Sequence, residues 1–118
     1  MTKRVIKEFT AINEVALAAS KTGEYTDVEM HDRAFYDVVW SGGVLPVGVL
    51  KFEISNDAND STSWKELDFG ASIDITGASG EHQVLIQEIT WKYIRPVYTR
   101  TSGTLDLSVK MRASVQGA

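Results

Sequence analysis

Apolar and polar residues alternate with a period of two along most of the chain. Leu105, Leu107, Val109, Met111 and Ala113 alternate with Thr104, Asp106, Ser108, Lys110 and Arg112. That pattern predicts a long strand with one buried face and one wet face. Leu50, Phe52 and Ile54 alternate with Lys51, Glu53 and Ser55 in the same way. Trp91, Tyr93, Arg95 and Val97 oppose Lys92, Ile94, Pro96 and Tyr98, so this strand is amphipathic and has something to touch on each face. Pro96 has no N–H to give to a ladder, which predicts an edge strand or a bulge. Residues 25–30, 34–41 and 82–87 are shorter candidates rich in Val, Tyr and Ile.

Turn-forming residues punctuate these runs. Ser41-Gly42-Gly43 with Pro46, the polar stretch 56–63, Thr76-Gly77-Ala78-Ser79-Gly80 and Thr101-Ser102-Gly103 are read as four connections. Residues 12–19 fit two patterns: Ile12, Val15, Ala16 and Ala19 a helical face, Val15, Leu17 and Ala19 a strand. The run is short and its surroundings are β, so a strand is preferred, with a helical turn as the alternative. Short, evenly spaced strands predict an all-β fold, an antiparallel sandwich or barrel, rather than a parallel α/β sheet. Residues 1–118 are expected to form one domain. Residues 1–8, with Lys3, Arg4 and Lys7, read either as an arm reaching a neighbouring subunit or as a solvated terminus.

Composition narrows the classes of function. The chain has 118 residues, 43% of them hydrophobic, which suffices for a core without staples. Cysteine is absent, which removes disulfides, thiol nucleophiles and thiolate metal sites. The net charge of −4 argues against nucleic acid as a partner, since that needs a basic face. Charges return at Lys7, directly after the two apolar residues Val5 and Ile6, so no export segment is read, and no apolar run approaches the length of a membrane span.

No catalytic constellation can be read. His31 lies beside Asp32 and Arg33 and His82 opens a strand, both ordinary places for a solvated histidine. No serine sits in a Gly-x-Ser-x-Gly elbow, and Gly42-Gly43 is not followed by the Lys-Ser of a phosphate loop. Asp57, Asn59, Asp60 and Ser61 collect oxygen atoms in one loop, but without the glycine and distant glutamate of a calcium loop they read as Asx turns. The expectation is therefore no enzyme, no metal and no cofactor. The aromatic residues point to binding. Trp40 reads as core, whereas Trp64, Trp91, Tyr93, Arg95 and Tyr98 are the candidates for a ligand or interface surface, with burial as the competing role for the tryptophans.

One order of residues is more specific. Phe52-Glu53-Ile54 runs into Ser55-Asn56-Asp57, a polar loop, and Trp64-Lys65-Glu66-Leu67. Later come Tyr93-Ile94-Arg95-Pro96-Val97-Tyr98-Thr99 and then Ser102-Gly103-Thr104-Leu105, which opens the last strand. Over residues 34–113 this order resembles small β-sandwich structural proteins of bacteriophages, of the head-decoration, capsid-associated and tail-associated types. The resemblance implies an all-β fold, an antiparallel β-sandwich that is jelly-roll-like with about eight strands, and a non-enzymatic virion structural protein, made in the host cytoplasm, that self-assembles or decorates a capsid or tail. Its partners would be copies of itself and other virion proteins, without membrane or nucleic acid. The same order is similar to discoidin-type carbohydrate-binding jelly rolls, which implies the alternative, a module that attaches a particle to a host-surface glycan. The chain is short for a discoidin domain and lacks its cysteines. Neither resemblance brings a catalytic residue.

Overall fold

In a computed structural model, which describes residues 4–29, 31–67, 73–86 and 88–116, the chain is all-β, with eight strands in one antiparallel sheet that does not close into a barrel. The strands are β1 (Arg4–Leu17), β2 (Lys21–Thr22), β3 (Thr26–Asp27), β4 (Arg33–Ser55), β5 (Lys65–Glu66), β6 (Ile73–Thr76), β7 (Gly80–Ile86) and β8 (Tyr93–Gln116). No described helix is long and apolar enough to cross a membrane.

Two strands organise everything else. β4 and β8 run to 23 and 24 residues, several times an ordinary strand, and pair antiparallel from Arg33↔Ser114 to Ser55↔Tyr93. Each bends in its middle, where the β4–β8 register shifts between Ser41 and Gly48. The bend folds the sheet over, so that Tyr36 and Phe52, on the two arms of one strand, meet with ring centroids 4.5 Å apart. The first layer is β1, the late arm of β8, the early arm of β4, and β7. The second is β2 and β3, the early arm of β8, the late arm of β4, then β5 and β6. This is the strand order of a jelly roll, with its four central strands fused end to end into two.

The bend explains three of the four turn signals. Ser41–Pro46 and Thr101–Gly103 lie inside β4 and β8, and Gly77–Ser79 carries the chain from β6 in one layer to β7 in the other. They lie together, since Gly43 N donates to Ala78 O at 2.8 Å. Leu45 adopts φ +48° and Gly103 φ +77°. A Cβ on Gly103 would run into the Leu45 carbonyl and Pro46, so only glycine lets the two strands cross the fold line this closely. These segments are corners of a continuous sheet, not the chain reversals expected from the sequence. Only residues 56–63 form a loop of the expected kind.

The alternation in the sequence orients the arms correctly. Leu105, Leu107, Val109, Met111 and Ala113 are all buried, and they meet Leu50, Phe52, Ile94, Tyr36 and Val38 in one core between the layers. Residues 12–17 belong to β1, so the strand reading prevails over the helical one; a bulge with Ala16 at φ +52° interrupts its pairing. Within the segment read as a candidate arm, residues 4–8 pair with 112–116 in the sheet, and residues 1–3 lie outside the described residues. Met30 and Gln87, the ends of two expected strands, also lie outside them. Pro96 sits in a central strand, not at an edge. It faces the break between β2 and β3, where Gly23, Glu24 and Tyr25 oppose Arg95 and Pro96, so its missing N–H leaves no partner waiting. Gly23 N donates to the Pro96 carbonyl at 2.7 Å.

Candidate functional site: an aromatic and arginine cluster on the second layer

Odd-numbered residues of early β8 face outward, so Tyr93 and Arg95 project from the outer side of the second layer while Ile94, Pro96 and Tyr98 are buried. Arg95 lies opposite Glu53 of β4. Its Nε and Nη2 both donate to Glu53 Oε1, at 2.9 and 2.7 Å. The guanidinium also lies 4.0 Å from the centroid of Trp64, which the polar loop delivers to this face just before β5. Tyr25 completes the group, tilted against Trp64 with centroids 6.0 Å apart and edge-on to Tyr93 at 5.4 Å. Beside it Lys51 pairs with Glu66 at 3.3 Å on the exposed rim.

The sequence candidates therefore divide. Trp64, Tyr93 and Arg95 come together. Tyr98 does not join them: it is fully buried, its ring packs where Gly48 has no side chain, and its hydroxyl has no partner. Burial raises the Tyr98 pKa, against a smaller opposing effect of the Arg100 charge. Trp91 is half-buried against the core with its indole Nε1 enclosed and unpartnered. Tyr25 and Glu53 are members that residue type alone did not single out; the outward parity of Glu53 and its place opposite Arg95 carry that information.

The arrangement is occupied by its own members. One face of Trp64 is covered by a guanidinium, a cation–π contact worth about 0.5–2 kcal/mol, and Tyr25 stands against the ring. A sugar ring that stacks on an indole needs an open face, and the cluster offers Tyr25 as its most exposed ring. Its chemistry is that of a fixed, amphipathic surface that pins the 56–63 loop to β8.

The loop itself is closed in the same manner. Asp57 Oδ1 accepts from Asn59 N at 3.1 Å. Asp60 Oδ1 accepts from Thr62 N at 2.9 Å and from Thr62 Oγ1 at 2.7 Å. These bonds hold the Asp60 carboxyl below the usual carboxylate range. Asn56 Oδ1 ties the loop to Lys92 N at 3.1 Å. The oxygen atoms face their own backbone, as Asx turns do. Among the described residues no three His, Asp or Glu side chains gather to hold a metal. His82 is exposed on β7, and both ring nitrogens of His31 are enclosed without a partner.

The first layer has a different outer surface. A cleft of about 390 Å³ lies there over β1, β8 and β4, floored by Phe35 and edged by Glu8, Thr10, Asp37, Lys110 and Arg112.

No family model matches the chain, and no curated protein matches it significantly. Solved structures share its fold. A prophage-derived protein, YomS of SPBc2, superposes with a TM-score of 0.57 at 18% identity, over 97% of this chain and 96% of its own. The infectious bursal disease virus Gx strain structure gives a TM-score of 0.62 at 10% identity, and the VP2 subviral particle of that virus 0.59 at 10%. These viral matches cover 98% of this chain but 33% of theirs, so the chain spans about a third of the viral protein. At these identities the likeness is one of fold: the chain is built as a particle-forming viral protein and a prophage-derived protein are built.

Proposed function

We propose that the chain is a non-enzymatic structural component of a bacteriophage particle, which self-assembles or decorates a capsid or tail. The observation that carries this reading is the end-to-end likeness to a prophage-derived protein, nearly the whole of one chain on nearly the whole of the other. The jelly-roll layers shared with a virus particle protein agree with it. So does the outer surface, where the aromatic cluster is satisfied within the chain. Its partners are then copies of itself and other particle proteins, and its location the virion.

The test is light scattering on the protein eluting from a sizing column, over a wide concentration range. A stable closed assembly supports the reading. A strict monomer removes self-assembly and leaves decoration of another protein's shell. Turnover of a glycan or ester that one carboxylate or serine substitution abolishes would overturn it. So would glycan binding that Trp64→Ala removes without lowering the melting temperature.

A further inference from the structure

The outer face of the first layer is built from three rows of the β4–β8 ladder. In register across the two central strands stand Phe35 and Arg112, Asp37 and Lys110, and Val39 and Ser108. Outside them, β7 places Leu85 beside Phe35, and β1 places Glu8 beside Arg112. Phe35, Val39 and Leu85 are 37, 39 and 55% exposed, which makes an apolar stripe flanked by both signs of charge. Asp37 and Lys110 are neighbours in register, yet among the described residues no ion pair joins them. Asp37 Oδ1 is enclosed with no hydrogen-bond partner. One oxygen of this half-buried carboxylate is enclosed without a donor, which is costly, and the exposed ammonium of Lys110 beside it is free to meet an acid of another molecule.

We propose that this face is the contact between two copies of the chain, related by a two-fold axis running along the strands between β4 and β8. The inference deepens the self-association in the reading above by naming its surface. The symmetry follows from the register. A rotation about that line lays β4 of one copy over β8 of the other and β7 over β1. Asp37 then meets Lys110 of the second copy, twice. Arg112 lies over the ring of Phe35, and Glu8 over Leu85. The line is also the middle of the four-stranded layer, so the two faces overlap completely, as an isologous contact requires. Four strands at about 4.8 Å, with about seven residues at 3.4 Å rise, give roughly 450 Å² in projection. A stable interface takes about 800 Å² of accessible surface from each partner, so this layer places the contact in the small, weak and reversible class, where charge pairing sets the register.

The test uses charge reversal in two separate proteins. Asp37→Lys sets lysine against Lys110 of the second copy, and Lys110→Asp sets two aspartates together. Each alone should weaken self-association at least tenfold. Mixed in equal amounts, the two variants should recover it as a heterodimer, because only across unlike copies do opposite charges meet. A pair acting within one chain cannot produce that recovery. Leu85→Glu, at an exposed position above Glu8 of the second copy, should separate the copies with the melting temperature unchanged, and it guards against a poorly folded Asp37 variant. Association that none of these substitutions weakens would place the contact on another face and leave the particle reading standing. A wild-type monomer at every concentration, or a mixture that fails to recover, would overturn the two-fold contact and assign the face to a different protein.

Discussion

The two outer faces of this sandwich are made from the same two strands, yet they differ in how far their polar groups are satisfied. On the second layer Arg95 spends its charge on Glu53 and its flat surface on Trp64, and Tyr25 stands against Trp64 and Tyr93. On the first layer Asp37 and Lys110 stand in register and do not pair. By residue type the second face is the stronger candidate for recognition, being richer in Trp, Tyr and Arg. By satisfaction it is the weaker one. Residue type states what a surface can do, and unmet valence states what it still lacks.

The largest effect tests what both faces share, the fold line. Gly103→Val puts a β-branched side chain at φ +77° and drives its Cβ into the backbone of Leu45 and Pro46. Strain and overpacking together should cost about 3 kcal/mol or more. Denaturant unfolding should show that loss, with aromatic signals of both layers failing in a single transition. If one layer's signals survive, the two faces belong to units that fold separately, and their comparison loses its common frame.

A smaller effect separates the faces. Arg95→Ala leaves the half-buried Glu53 without a donor and uncovers Trp64, which should cost about 1–3 kcal/mol. The size that light scattering reads for the wild type should be unchanged in this variant. Leu85→Glu on the other layer should do the reverse. A change of assembly in Arg95→Ala would show that the satisfied cluster is itself a contact, and would reverse the ranking of the faces.

Much of the second face was legible in the sequence, and the reason is local. Tyr93 and Arg95 alternate with Ile94, Pro96 and Tyr98, so the chain itself assigns Tyr98 to the opposite side, where it is buried. Trp91 shares the parity of Tyr93 but precedes the strand, and parity does not reach beyond a strand's end. The corners were legible in position and not in kind. Glycine and proline at Ser41–Pro46 and Thr101–Gly103 break the alternation as a reversal would, and only the partner strand shows that the ladder resumes beyond them. The meeting of Asp37 with Lys110 depends wholly on that long-range register. Nothing near either residue announces it.

The smallest effect concerns the 56–63 loop, the most self-contained part of the second layer. Thr62→Val removes the hydroxyl that donates to Asp60 and keeps the backbone N–H. The hydroxyl is the larger of the two influences that lower the Asp60 pKa, so the variant's pKa should rise toward the ordinary carboxylate value, as a carboxyl-carbon titration by NMR would read it. The sign of the linkage follows. A depressed pKa stabilises the fold above the ordinary value near 3.9 and is lost as pH falls through the folded value. The variant should therefore lose a little stability at neutral pH and none in strong acid, where wild type has already lost that contribution. The carboxylate is fully exposed, and water replaces much of what the hydroxyl gave. If Asp60 titrates identically in both proteins, the loop is held by its backbone alone, and its satisfied state owes nothing to that side chain.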